Sequence, residues 1–197
     1  RGEHTLSPEF TFHGFRYLKL EGARLPEGAV CALVRHTDMA RTGSLCTDNA
    51  RFQRLYENVV WGQRSNFVDI PTDCPQRDER FGWTGDINVF CRTAAYNFDV
   101  RGILKKWLTD VRSEQEPTGE LPHVVPDVLG WRHTAALWSD AVTMVPDTLY
   151  EMYGDLCFLA DNFGAMKKFL EARERTTENG LVARGQEYGD WLALDKE

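Results

Sequence analysis

No stretch of this chain approaches the roughly 18 consecutive apolar residues that a membrane-crossing helix needs, and no signal peptide opens it. No Lys/Arg-rich run offers a track for phosphates, and with a net charge of −7 the chain is a poor partner for nucleic acid. The five cysteines (Cys31, Cys46, Cys74, Cys91 and Cys157) include no C-x-x-C pair. The histidines are scattered, with none at ligand spacing from another or from a cysteine, which argues against zinc. An odd thiol count in a chain long enough to bury a core without staples predicts reduced, mostly buried cysteines, and leans towards a cytoplasmic home. The fingerprints G-x-S-x-G, G-x-G-x-x-G, the P-loop and H-E-x-x-H are all missing. What is left is a soluble globular composition, 42% apolar and 27% charged, with no internal repeat.

What is present is concentrated between Asp69 and Asp86. There Asp69, Asp73, Asp78, Glu79 and Asp86 lie among Arg77, Arg80, Trp83, two prolines and two glycines. Pro71 and Pro75 forbid a regular helix through the first half, so these acids sit on a stiff loop. Thr84 or Asp86 then starts a helix whose apolar stripe is Ile87, Phe90, Cys91 and Ala94. Carboxylates, a planar cation and an indole in one loop suit a sugar: carboxylates move protons and accept hydroxyls, and an indole stacks on the C–H face.

Around this loop the pattern changes from strand to helix. Residues 10–20 alternate apolar and polar side chains, with Phe15 and Tyr17 predicted to face cores, and residues 29–35 form a second candidate strand. So few strands make no stable sheet alone, so they read as the closing strands of a β-sandwich. From about residue 46 helices take over. Thr47 or Asp48 can cap a segment with Phe52, Leu55, Tyr56, Val59, Val60 and Gln63 on one face. Further helices are predicted near 84–97, 100–114 (striped by Val100, Ile103, Leu104, Trp107, Leu108 and Val111), 138–153 and 155–175. The irregular stretch 116–131 is of a length that is usually functional or disordered. Gly180 to Asp195 reads as a hairpin-like close.

Each candidate has a bland reading. Glu79, in Arg77-Asp-Glu-Arg80, is a candidate general acid, a role that needs the raised pKa a neighbouring carboxylate can supply; a solvated charge cluster is the alternative. Asp73 and Asp86 can each accept sugar hydroxyls, and Asp86 can equally serve as a first-turn acid on the helix dipole. Arg77 can brace a carboxylate, bind a hydroxyl or form a structural salt bridge. Trp83, Trp138 and Trp191 stand beside acids and glycine as sugar platforms or core residues, whereas Trp61 and Trp107 fall within helical stripes. His123 and His133 in the long loop carry no pattern of their own.

Taken whole, the stretch Asn66-Phe-Val-Asp-Ile-Pro-Thr-Asp-Cys-Pro-Gln-Arg-Asp-Glu-Arg-Phe-Gly-Trp-Thr-Gly-Asp86 resembles the signature of bacterial α-L-rhamnosidases. Phe12-His-Gly-Phe-Arg-Tyr17, Pro122-His-Val-Val-Pro-Asp127, Trp138-Ser-Asp-Ala141 and Gly189-Asp-Trp-Leu-Ala-Leu-Asp195 match in the same order, with Phe81 standing where leucine is usual. The resemblance implies a mainly α chain: part of an (α/α)6 barrel at 46–197, preceded at 1–45 by the last antiparallel strands and linker of a β-sandwich domain. It implies release of terminal α-L-rhamnose with inversion and without a cofactor. Glu79 matches the general acid; Asp73, Arg77, Trp83 and Asp86 match the rhamnose subsite; Trp138 and Trp191 resemble its aromatic wall. Inversion needs a second carboxylate, about 6.5–9.5 Å from the acid, to activate water. In the family that glutamate, like a pocket-lining histidine, lies beyond the position matched by Asp195, and neither Glu187 nor Glu197 has its context.

The chain is therefore expected to be a fragment, with half a barrel whose unpartnered apolar faces favour self-association. Two rival readings follow: another (α/α)6 enzyme, such as a glucoamylase-like hydrolase or a lyase, or a truncated product that at most binds rhamnosides.

Overall fold

The computed structural model describes residues 4–22, 24–130, 134–182 and 188 of the chain. It is built on five helices: α1 (Ala50–Asn66), α2 (Thr84–Asn97), α3 (Arg101–Glu114), α4 (Ala141–Tyr153) and α5 (Cys157–Glu174). Two short antiparallel ladders join them, β1 (Phe67–Val68) with β2 (Ile70–Pro71) and β3 (Thr177–Glu178) with β4 (Leu181–Val182). The mainly helical class thus agrees with the sequence. α4 packs on both α2 and α5, and α3 touches α4 and α5.

Asn49, rather than Thr47 or Asp48, caps α1: its side-chain oxygen accepts from the N–H groups of Arg51 and Phe52 at 3.1 and 3.3 Å. Thr47 instead accepts from the Asn49 N–H, one step upstream. Only the end of the α1 stripe is inside. Val60 and Gln63 are buried, whereas Phe52 and Leu55 are exposed. Gln63 is satisfied there, donating to the Ala94 carbonyl and accepting from Asn97, which ties α1 to the end of α2.

The α3 stripe is buried throughout, from Ile103 to Val111, with Trp107 wholly enclosed and donating to the Val125 carbonyl at 3.2 Å. Trp61 differs from the stripe reading: it is half exposed, with the Arg64 guanidinium 5.1 Å from its ring. α4 starts three residues later than expected and ends at Gly154, whose φ of 69° is the left-handed cap that glycine adopts at no steric cost. A hairpin pairs 177–178 with 181–182, turning on Asn179-Gly180 with φ of 53° and 78°, both positive as a two-residue β-turn demands. Of the close expected at 180–195, all but residues 180–182 and 188 lie outside the described residues.

The strands expected at 10–20 and 29–35 are not formed among the described residues. Alternation earns a strand only where another strand completes the ladder, and here Phe15, Tyr17, Leu18 and Leu20 are all exposed. Just after the expected strands, residues 37–41 meet the helical body at separate points, with Thr37 N donating to the Phe67 carbonyl, Asp99 N to the Ala40 carbonyl, and Arg41 bridging Phe98. The thiols also depart from expectation. All five are free, but only Cys74 and Cys91 are buried, because Cys31 and Cys46 lie on the extended segment and Cys157 at the exposed start of α5. No helix among the described residues is long and apolar enough to cross a membrane.

Candidate active site

The acidic loop spans β2 to α2, and its neck is closed by one residue bonding twice. Asp73 N donates to the Phe81 carbonyl at 3.0 Å, and Asp73 Oδ1 accepts from Phe81 N at 3.0 Å. The second oxygen of Asp73 receives Arg77 Nη2 at 3.1 Å. Arg77 Nε then reaches Glu79 Oε2 at 2.7 Å, so one guanidinium bridges two carboxylates. The other Glu79 oxygen accepts from Trp83 Nε1 at 2.8 Å. Asp73 is nearly enclosed at 7% side-chain exposure and Glu79 retains 29%; these two are bonded through Arg77, whereas Asp78 between them is fully solvated.

Trp83 is held by the long loop. Thr84, first residue of α2, donates both N–H and Oγ1 to the His123 carbonyl, satisfying a helix-start donor. Trp83 bridges Val124, and Val125 N donates to the Gly82 carbonyl. Gly82 is required by this approach, since a Cβ there would stand 2.1 Å from the Val125 carbonyl oxygen. Gly85, one turn on, lies under Trp138, and its Cβ would meet that indole at 2.6 Å. Tyr188 completes the wall: its ring lies 4.6 Å from Trp138, 6.4 Å from Trp83 and 5.2 Å from His123, and its hydroxyl is 2.5 Å from His123 Nδ1.

The carboxyls do not titrate as the sequence suggested. Burial acts to raise the Glu79 pKa, but hydrogen bonds from Arg77 and Trp83 outweigh it and hold Glu79 below its ordinary value. Asp86 is the raised one, by desolvation first and then by the charges of Asp73 and Glu79, although its surface as a whole is exposed. A ligand atom from each of Asp73, Cys74 and Glu79 could approach one cation, but Arg77 already supplies positive charge between the two carboxylates.

Residues 40–197 match the family model of the bacterial alpha-L-rhamnosidase six-hairpin glycosidase domain. The chain belongs to this family. It is 42% identical, over its full length, to an alpha-L-rhamnosidase of Streptomyces avermitilis, of which it covers 19%. It is 40% identical over 94% of its length to one from Formosa agariphila, covering 20% of that protein. A crystal structure of the Streptomyces avermitilis alpha-L-rhamnosidase complexed with L-rhamnose superposes with a TM-score of 0.76 at 43% identity, over 80% of this chain and 15% of that one. A native rhamnosidase from Aspergillus terreus gives a TM-score of 0.77 at 42% identity, over 82% of this chain and 19% of that one. The chain thus spans about a fifth of the length of the curated relatives it matches.

Within this rhamnosidase segment, Asp73, Arg77, Glu79 and Trp83 form one bonded group, and Trp138 joins them through Tyr188. Asp86 lies in the first turn of α2, close enough to Asp73 and Glu79 for their charges to act on it. Trp191, Glu187, Glu197 and His133 lie outside the described residues. Two participants were missed by sequence reasoning. His123 is buried and organises the loop contact, where a lone loop histidine carries no pattern; Tyr188 sits in a segment whose apolar period is too short to point it anywhere.

Proposed function

We propose that the protein to which this chain belongs releases terminal α-L-rhamnose from glycosides by general acid–base hydrolysis with inversion, Glu79 donating the proton to the departing oxygen. The observation carrying this reading is the double hold on Glu79, one oxygen on Arg77 and the other on Trp83, at the edge of a wall built from Trp83, Tyr188 and Trp138. The L-rhamnose bound by the Streptomyces relative supports the same substrate class here.

In the free chain Arg77 and Trp83 favour the ionised form of Glu79. A sugar seated against the wall strips water from this carboxyl and adds to the burial that already pushes its pKa up, so that binding loads the acid. Asp73, Arg77 and Asp86 offer acceptors and donors for ring hydroxyls, and Trp83, Trp138 and Trp191 a face for the C–H side. The general base is assigned to a glutamate beyond this chain, and the reaction needs no cofactor because both proton transfers fall to carboxylates. Residues 46–197 are read as the first half of an (α/α)6 barrel and residues 1–45 as the end of a β-sandwich. The 197-residue chain by itself is then inactive, and rhamnose release assayed on it beside the longer protein tests this: release by the short chain at the longer protein's rate rejects the missing base.

Leu45, Phe52, Leu55, Tyr56, Val59 and Tyr96 line an open apolar groove of about 490 Å³ along α1 and α2. Such a face favours pairing of the isolated chain with a second copy, and light scattering of a monomer at high concentration would count against that.

A further inference from the structure

Phe12, His13 and Gly14 precede the residues matched to the rhamnosidase domain, yet they grip its acidic loop from outside. Gly14 N donates to the Pro75 carbonyl at 3.0 Å. Arg80 Nη1 donates to the Phe12 carbonyl at 2.5 Å, and the guanidinium lies 5.1 Å from the centroid of the Phe12 ring. The loop is therefore held at Pro75 and at Arg80 by one three-residue segment, and Arg77 and Glu79 lie between those two holds. The inner hold is the Asp73–Phe81 pair at the neck.

Neither outer hold is replaceable from nearby. Arg80 has a φ of 54°, a left-handed conformation that a bulky residue adopts only where its surroundings impose it. Its N–H donates to Cys74 Sγ at 3.4 Å. Its remaining ion pair, to Asp78, is a 3.4 Å contact with a fully exposed partner and holds little. At Gly14 the approach leaves no room for a side chain, since a Cβ would stand 2.8 Å from the Pro75 oxygen.

We infer that Phe12-His13-Gly14 is a strap that positions Glu79, with Gly14 and Arg80 as positioning residues at its two holds. Arg77 and Glu79 share four residues of loop with no regular structure, so their mutual geometry depends on where the ends at 75 and 80 are fixed. The strap comes from the segment assigned to the preceding domain, which couples that segment to the reacting carboxyl. The kinetic consequence rests on Glu79 being the general acid; the mechanical one does not.

The test uses the full-length protein with Gly14→Ala, Arg80→Gly and Arg80→Lys. Glycine accepts the left-handed turn better than arginine, so Arg80→Gly removes the hold while relieving the backbone. Residue-resolved alkylation of Cys74, a loop residue next to Pro75 that is 3% exposed, reads the hold directly, and Cys91, wholly buried in α2, reports global unfolding. Gly14→Ala and Arg80→Gly should each raise the Cys74 alkylation rate about tenfold with Cys91 unchanged. Each should lower kcat about tenfold or more, with KM moving less than twofold. Arg80→Lys, which keeps a cation for the Phe12 carbonyl and ring, should recover most of both. Parental alkylation in both disruptive variants, or Cys91 opening together with Cys74, would overturn the strap. Increased alkylation with parental kcat would overturn its positioning role. A full-length parent that releases no rhamnose would sink the general-acid reading while alkylation still decides the strap.

Discussion

Trp83 Nε1 donates to Glu79 Oε1 at 2.8 Å, tying the acidic loop to the residue that caps α2. Trp83 thereby belongs both to the helix start, through its backbone bridge with Val124, and, through its indole, to the carboxyl proposed to donate the proton. Anything that shifts the long loop at His123–Val125 moves Trp83, and with it one of the two donors that lower the Glu79 pKa.

Replacing Trp83 by Phe keeps an aromatic face and deletes that donor. The Glu79 pKa should rise towards its ordinary value, so the protonated fraction persists to higher pH. The alkaline limb of the pH–kcat/KM profile should move upward. An unmoved limb would show that the indole bond does not set the acid's pKa.

Asp86 carries the opposite shift and gives a stability prediction. Its folded pKa is raised above the ordinary 3.8, first by desolvation and then by Asp73 and Glu79. Folding therefore favours its neutral form; the cost of ionising it is absent below 3.8 and grows as pH rises through the folded value. Asp86→Asn should raise Tm at neutral pH and give no gain in acid. A lower Tm at neutral pH would mean that its charge on the α2 dipole outweighs the crowding of carboxylates.

Trp107 ties the core to the site by donating to Val125, whose N–H holds Gly82. Trp107→Phe fills most of the space but strands a buried carbonyl, which should cost about 1–3 kcal/mol in denaturant unfolding. A loss under a few tenths would indicate that Val125 finds another donor.

The apolar groove gives a prediction of association. Phe52 and Leu55 are 63% and 57% exposed on α1, and charge at both positions, as in Phe52→Glu with Leu55→Lys, should make the isolated chain monomeric by light scattering without lowering its helix content. Unchanged association would place the contact elsewhere.

Helices α2 and α3 were legible because their stripes face a core contained within this chain: Ile103, Leu104, Trp107, Leu108 and Val111 are buried as their spacing requires. The α1 stripe was equally regular, yet Phe52 and Leu55 are exposed, because periodicity reports which face is apolar and not whether a partner covers it. The strands at 10–20 failed for the same reason. In the site, the signature loop announced Asp73, Arg77, Glu79 and Trp83, all of which meet. The direction of the Glu79 shift was not readable, since it depends on two donors turning towards the carboxyl instead of on the acids beside it in sequence. His123 and Tyr188 reach the site through folding of distant loops, a relationship that no local spacing encodes.

Glu79→Gln in the full-length protein is the decisive substitution, because it removes the transferable proton while keeping an acceptor and a similar shape. Steady-state release of rhamnose from a glycoside with a poor leaving group should fall about 10²–10⁴-fold in kcat, with KM nearly unchanged. A kcat within threefold of the parent would contradict Glu79 as the general acid.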